Sequence, residues 1–355
     1  MPLSAPELSR YQRHLILSGF GVEAQESLKS SSVLVIGAGG LGCPILLYLA
    51  ASGVGTIGIL DDDTVSESNL HRQVLYTSQD VGQPKAEVAA KKLCELNPFV
   101  HVIAIPQRLS VENALTALES YDLIVDGSDN FATRYLVNDA CVILQKPFVS
   151  GAIFTFEGQV AVFNYKDGPT YRCLFPEPPA AEDMPNCSDI GVLGILPGVI
   201  GTLMATEAIK VCAQIGEVLS GKLLTYDALS MTFHTFVFEG KPENKHISQL
   251  KEIDLFCETK EFSEISAMEL KAWKKTGKDF QLIDVREPHE FEAFNIDGKN
   301  FPLSELDRWV HEIARDKQVV VHCQAGSRSQ KAIQKLESAY GFSNLLNLRN
   351  GLKDW

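Results

Sequence analysis

The run Gly37-Ala38-Gly39-Gly40-Leu41-Gly42 limits what this chain can fold into more than any other feature. The apolar stretch SSVLVIG leads into it, the helical stretch CPILLYLAASGVG follows, and TIGILDDDTV comes next. Strand, glycine turn, helix and strand in that order make a βαβ unit, whose two strands lie parallel with the helix across one face. At Gly37, Gly39, Gly40 and Gly42 there is no side chain to keep backbone N–H groups from a phosphate at the helix N-terminus. Pro44 falls in the first helical turn, where its missing N–H has no partner to lose, and Gly53 and Gly55 supply the stop. Downstream, YDLIVDGSDN reads as another buried strand leading into the helix ATRYLVNDACVILQ, and KPFVSGAIFTFEGQVAVFNYKDG alternates as antiparallel strands do. The fold class is α/β, a Rossmann-like mixed sheet that is mostly parallel.

The residues beyond the turn narrow the chemistry. Asp61, Asp62 and Asp63 close the second strand, where a carboxylate can hold ribose hydroxyls; Asp61 is nearest in register, and a solvated strand end is the plain alternative. Asn69 and Arg72 stand three apart, on one face if that stretch is helical, and Lys85 follows. Arg and Lys gathered near a glycine turn neutralise a triphosphate and stabilise charge on a transferring nucleotidyl group. An enzyme transferring hydride has no need of such a cluster. Asp129 lies at the carboxyl end of the strand LIVDGSD, placed to hold Mg²⁺ on the phosphates. Its other reading is an N-cap for the helix that follows.

A length of 355 residues suggests two domains. The charge balance, 32 Lys+Arg against 45 Asp+Glu, argues against nucleic acid or an anionic membrane as partner, since both begin with a basic face. Residues 263–355 hold 14 basic and 14 acidic side chains, so the whole net charge of −13 falls on residues 1–262. Eight cysteines, with no secretory leader ahead of them, read as reduced, and the protein as cytoplasmic. Cys43, Cys94, Cys141 and Cys212 sit in apolar helical contexts and read as core; Cys257 has no assignment. The stretch Val192 to Ala205 is broken by Gly and Pro and too short to span a bilayer, and reads as a turn entering a buried helix. The polar, weakly periodic stretch near 241–262 reads as a linker, dividing the chain into domains 1–240 and 263–355.

In the second domain the strand QVVVH delivers Cys323 into the loop Cys323-Gln324-Ala325-Gly326-Ser327-Arg328, which opens a helix. A thiol there faces successive backbone N–H groups and the helix dipole, with an arginine close by, and all three favour thiolate. Asp284 and Arg286 read as braces for the loop rather than reacting groups.

RYQRHLIL, GAGGLGCP, LDDDTVSESNLHRQ, GQPKAE and DGSDNFATRYLVND, occurring in this order, resemble the MoeB/ThiF-type adenylyltransferases that activate ubiquitin-like sulfur carrier proteins. The resemblance runs through TYDALSMTF and implies a homodimer with two ATP sites. It implies that Gly39 and Gly42 line the phosphate turn, Asp61 holds the ribose, Asn69, Arg72 and Lys85 address the triphosphate, and Asp129 binds Mg²⁺. Arg13 would reach the partner's site as an arginine finger. Family members commonly hold a structural zinc on two C-x-x-C pairs. Here the first reads Thr170-Tyr171-Arg172-Cys173 and GKPENKHISQ has no second, so no zinc is expected. The Pro- and acid-rich LFPEPPAAEDMPNCSD reads as a lid over the site, and Cys187 within it matches the family position that links covalently to the carrier. IDVREPHEFE, the C-x₄-R loop and NGLKDW resemble a rhodanese domain, whose cysteine, here Cys323, carries a persulfide stabilised by loop amides and Arg328. Asn295-Ile296-Asp297-Gly298 stands where such domains usually have His-Ile-x-Gly.

The two resemblances together imply a fused enzyme that adenylates a carrier's C-terminal Gly-Gly carboxylate with ATP and converts it to a thiocarboxylate. Cysteine desulfurase or thiosulfate would supply the sulfur, in a molybdopterin, thiamine or tRNA-thiolation type of pathway. Other readings are a protein-tagging enzyme that passes a modifier through a Cys187 thioester, a nucleotide-dependent oxidoreductase, and a scaffold that only binds a carrier.

Overall fold

Glycines and short β-branched runs divide this chain into two α/β units. The structure, a computed structural model, describes residues 2–179, 191–252 and 262–355. The units are Met1–Leu255 and Phe256–Trp355.

The first unit is built on eight strands: β1 (Ser32–Ile36), β2 (Thr56–Leu60), β3 (His101–Ile105), β4 (Leu123–Asp126), β5 (Phe148–Phe154), β6 (Glu157–Phe163), β7 (Lys222–Asp227) and β8 (Thr232–Val237). They lie in the order β3-β2-β1-β4-β5-β6-β7-β8, parallel from β3 to β5 and antiparallel beyond. Val33 and Val35 of β1 enter one apolar core while Leu34 and Ile36 enter another, so the sheet is covered on both faces. The helices Gly42–Ser52 and Leu196–Ala213 pack on the first face, and Phe131–Ile143 on the second. Leu196–Ala213 is long and apolar enough to cross a membrane by composition. Its Leu196, Ile200, Met204 and Ala208 are fully buried in the core, and it is the central helix of the fold.

The amino-terminal stretch forms the short helices Ala5–Arg10 and Gln12–Leu15. Buried Tyr11 packs its ring against Gly53, at the carboxyl end of the helix Gly42–Ser52, and its hydroxyl accepts a hydrogen bond of 2.8 Å from Asn97.

The second unit carries β9 (Glu264–Ile265), β10 (Phe280–Asp284), β11 (Lys299–Asn300), β12 (Gln318–His322) and β13 (Leu345–Leu348), all parallel in the order β11-β10-β12-β13-β9. Val319, Val321 and Cys323 face one core, Val320 the other, and the helix Ser327–Tyr340 follows β12 directly.

One reading of the cysteines needs correction. Cys43, Cys141 and Cys212 are buried, and burial pushes each thiol up, but Cys94 is exposed. The helix Lys85–Leu96 buries only one face, and position 94 falls on the other.

Candidate functional site

The sheet reverses its order of winding between β1 and β4, and an open α/β sheet leaves a crevice at the carboxyl ends of such strands. The glycine turn fills this place. Gly37 N–H donates to the Leu60 carbonyl at the end of β2 (2.8 Å), and Gly127 N–H donates to the Ile36 carbonyl at the end of β1 (2.9 Å). Gly42 is required by close packing, because a Cβ there would lie 2.0 Å from the Gly37 carbonyl oxygen. Asp61 holds the turn from the β2 side. One carboxylate oxygen accepts from Ala38 N–H at 2.7 Å and the other from Asp63 N–H at 2.9 Å. Burial pushes the Asp61 carboxyl above its usual range, against the pull of the Ala38 amide and of Lys85.

Arg72 and Lys85 both come to this turn, by different routes. Glu67–Asn69 is a single 3₁₀ turn, and the Asn69 carbonyl accepts from the N–H groups of Arg72 and Gln73 at 3.0 and 2.9 Å. That curl lays the Arg72 side chain against Gly40 and places buried Gln73 beside Gly39. Lys85 is carried in by paired segments, with Val65 N–H bonding to the Gln83 carbonyl and Lys85 N–H to the Asp63 carbonyl, each at 2.9 Å. Its ammonium is 2.8 Å from an Asp63 carboxylate oxygen; the lysine side chain is 5% exposed and the aspartate 72%. A cation held this way, by an exposed partner, can exchange it for a phosphate oxygen.

On the β4 side Asp129 is exposed, two residues before the helix Phe131–Ile143. The cap of that helix is Asn130, whose side chain accepts from Thr133 N–H at 2.9 Å, so capping does not fall to Asp129. Beneath it lie polar groups that the sequence reading missed. Asp126 is fully buried, and burial pushes its carboxyl up, against the pull of Arg134. One Asp126 oxygen, the Ser128 hydroxyl, the Arg134 Nε and the Gln73 amide oxygen are buried without a partner in the structure. Buried polar atoms in that state are satisfied by water or by a bound ligand. Arg134 also lines a pocket with Ser150, Gln159 and Tyr171.

Two assigned residues are not brought to this place. Arg13 is exposed two residues beyond Tyr11, whose ring marks the end of Gly42–Ser52 opposite the glycine turn, about 16 Å along the helix. Cys187 and most of the expected lid lie outside the described residues, as does Cys257. Past that gap the chain returns close by, with Gly194 against the His71 carbonyl and Pro197 against Gly40.

Cys173 shows what stands where a zinc pair would. Its sulfur accepts from Lys241 N–H at 3.2 Å and touches the Thr170 hydroxyl at 3.3 Å and the Asn244 amide at 3.7 Å. Burial raises this thiol, but these hydrogen bonds outweigh it and bring it below the usual value. The two segments are therefore joined by hydrogen bonds to one sulfur. Among the described residues no group of three or more His, Cys, Asp or Glu is arranged to hold a metal.

In the second unit Cys323 lies buried at the carboxyl end of β12, before the first turn of Ser327–Tyr340. Its sulfur accepts from Gly326 N–H at 3.1 Å and lies 3.6 Å from the Ser329 hydroxyl, which is bonded to Asn347 at 2.7 Å. The loop's carbonyls are tied from behind, where Leu352 N–H donates to Cys323 and Gln324 at 3.0 and 3.1 Å. Buried Arg286 pairs with Asp284 at 2.6 Å and donates to the Gln324 side chain at 3.3 Å, which makes this pair a brace under the loop. The Arg328 guanidinium makes a two-pronged pair with the Glu290 carboxylate, at 2.6 and 2.8 Å. A carboxylate matches that fork in charge and shape, and a thiol does not.

The ThiF family model matches residues 11–247, and the model of the rhodanese-like domain matches residues 266–355. A Mycobacterium tuberculosis protein named "Probable adenylyltransferase/sulfurtransferase MoeZ" is 44% identical over 369 residues, covering 99% of this chain and 94% of its own length. "Adenylyltransferase and sulfurtransferase MOCS3" of Aedes aegypti is 41% identical over 382 residues, covering 99% and 87%. The "Sulfur carrier protein adenylyltransferase" of Thermus thermophilus is 57% identical over 241 residues, covering 66% of this chain and 89% of its own. Among solved structures, E. coli MccB with MccA-N7isoASN has a TM-score of 0.60 at 24% identity, covering 68% of this chain and 74% of that one, and shares the fold.

Proposed function

That the chain belongs to the ThiF family and ends in a rhodanese-like domain makes it an adenylyltransferase and a sulfurtransferase in one, and we propose that the two activities act in turn on one substrate, the C-terminal Gly-Gly carboxylate of a ubiquitin-like sulfur carrier protein. In this reading residues 1–240 bind ATP, 241–262 are the linker, and 263–355 handle sulfur. The carrier carboxylate attacks the α-phosphate and pyrophosphate leaves. A carboxylate is already ionised at pH 7, so no general base is required, and the residues around the turn are cations and amides. Asp61 takes the ribose, the turn with Asn69 and Arg72 takes the phosphates, and Lys85 leaves Asp63 for a phosphate oxygen.

Mg²⁺ fits the donor set. Such an ion uses one or two carboxylates together with substrate phosphates, and Asp129 offers one beside the turn. When bound, the ion would neutralise phosphate charge. Arg13 stands too far from the turn of its own subunit to act there, which supports a homodimer in which it serves the partner's site.

The sulfur step belongs to Cys323. Its persulfide displaces AMP from the adenylate, joining carrier and enzyme through two sulfurs. An external dithiol then cleaves that sulfur–sulfur bond, releasing the carrier thiocarboxylate and the Cys323 thiol and leaving as its own disulfide; Cys187 is the second cysteine assigned a covalent link to the carrier. The pathway served is of the molybdopterin, thiamine or tRNA-thiolation type, in the cytoplasm. One observation carries the reading: a glycine turn crossed by Arg72 and a sulfur loop closed on Cys323 stand on the same chain. The test is mass spectrometry of Gly-Gly carriers incubated with the enzyme, ATP, Mg²⁺ and a persulfide donor. Exchange of one carrier oxygen for sulfur is expected. Stable carrier attachment in a Cys323→Ala variant, with thiocarboxylate formation undiminished, would instead favour tagging.

A further inference from the structure

The charges around the sulfur loop are arranged in closed pairs. Among the described residues, Arg286 under the loop and Arg328 within it are each paired with a carboxylate: Arg286 with Asp284 and Arg328 with Glu290. The second pair lies at the mouth, with side chains 17% and 26% exposed, and uses both nitrogens of the fork against both oxygens of the acid. Behind the cysteine, His322 is fully buried, and burial holds its ring neutral at working pH. Among the described residues, Gly326 N–H and the helix end offer attraction to an incoming sulfur compound, the Ser329 proton being engaged by Asn347.

We propose that Glu290 sets the donor class of this loop, so that Cys323 takes sulfur from an organic persulfide and discriminates against the thiosulfate dianion. The proposal rests on the reading that Cys323 carries sulfur. With an organic persulfide, the Cys323 thiolate attacks the terminal sulfur, the sulfur–sulfur bond of the donor breaks, and a thiolate carrying one negative charge leaves. With thiosulfate the same attack expels sulfite, which carries two. An uncompensated arginine would stabilise both the entering dianion and that leaving group. Here the fork of Arg328 is occupied, and Glu290 adds a negative charge that repels the dianion. A charge of −1 facing one of −2 at about 5 Å weakens binding roughly ten-fold even in water-like surroundings.

The test uses the full-length protein and reads the gain of one sulfur on Cys323 by mass spectrometry, with thiosulfate or cysteine persulfide as donor. The wild type should load faster from the persulfide. Glu290→Gln should raise kcat/KM for thiosulfate about ten-fold relative to the persulfide, through KM and most strongly at low salt. Glu290→Asp, which keeps the charge, should retain the wild-type ratio and guards against a folding defect. In an Arg328→Met background the Glu290→Gln gain should persist, because the charge removed is that of Glu290 itself. An unchanged donor ratio in Glu290→Gln, or equal loading of the wild type by both donors, would overturn the assignment of Glu290 alone. Loading by neither would overturn the sulfur-carriage reading beneath it as well.

Discussion

Replacing Gly351 by alanine puts a methyl group into the back of the sulfur loop. Gly351 has φ +59°, and its Cβ would lie 2.3 Å from the Cys323 carbonyl oxygen and 2.8 Å from the Ala325 nitrogen. These are backbone atoms, so no side chain can swing aside, and reaching ordinary contact moves the loop by about 1 Å. The same shift stretches the bonds from Leu352 N–H that hold the Cys323 and Gln324 carbonyls. The left-handed conformation costs an L-residue about 1–2 kcal/mol and overpacking a further 1–3, so we expect a loss of about 3 kcal/mol. In a domain of this size that lowers Tm by on the order of 10–20 °C. A displacement of 1 Å at a reacting group costs about 100-fold in rate.

The assay pairs sulfur loading of Cys323, read by mass spectrometry after alkylation, with ATP–pyrophosphate exchange in the same preparation. Loading should fall about 100-fold while carrier-stimulated exchange stays within two-fold, because the glycine turn belongs to the other unit. Gly341→Ala separates strain from contact. Gly341 has φ +68° but nothing lies within 4 Å of its Cβ position, so it incurs the conformational cost alone, about 1–2 kcal/mol, and should load sulfur normally. If Gly351→Ala loads sulfur like Gly341→Ala and melts at the same temperature, the contact with the loop has no consequence and the reasoning fails.

Three further outcomes can be checked. Lys85→Met should abolish pyrophosphate exchange, and Arg13→Ala should do the same; mixing the two inactive proteins should restore part of the activity through heterodimers with one intact site, whereas no recovery in a mixture shown to exchange subunits would place Arg13 outside the partner's site. Burial lowers His322 from the usual 6.5 to about 4. Its contribution to stability is therefore complete above pH 6.5 and lost as pH falls toward 4, about 3 kcal/mol in all; His322→Asn should flatten that part of the Tm-against-pH curve of the sulfurtransferase unit, and an unchanged slope would refute the assignment. Cys173→Ala should loosen Lys241 and Asn244, lowering Tm by a few degrees with exchange retained; loss of bound zinc in that variant would refute the account of this region.

Much of both sites was legible because a few residue types at fixed spacings have few physical uses. Gly37 to Gly42 after an apolar strand can only be a tight strand-to-helix turn, and Asp61 at the end of the next strand must stand beside it. The C-x₄-R spacing likewise placed Cys323 at a strand end before a helix. What escaped was set by distance along the chain. Asp126, Ser128 and Arg134 lie in one strand–loop–helix segment and Gln73 in another, and none belongs to a pattern that periodicity could reveal. The pairing of Arg328 with Glu290, thirty-eight residues earlier, has no signature in the loop motif itself. Cys94 fitted a helical period but fell on the outer face.

The two loops show why short motifs are informative without being sufficient. Each must present N–H groups to a ligand while leaving no carbonyl of its own unpaired in the interior. In the first unit, the Tyr76 hydroxyl donates to the Ala38 carbonyl at 2.9 Å while Asp61 accepts from the Ala38 N–H. In the second, Leu352 N–H ties the carbonyls of Cys323 and Gln324, and the Arg286–Asp284 pair supports Gln324 from below. The motif residues supply the shape of each loop, and residues 23 to 40 positions away supply its clamp. The closing NGLKDW stretch is then understandable as mechanical support: its glycine lets the backbone approach the loop closely enough for the following amide to reach two carbonyls at once. A substitution in either clamp should therefore behave like one in the loop itself, lowering the chemistry of its own unit and sparing that of the other.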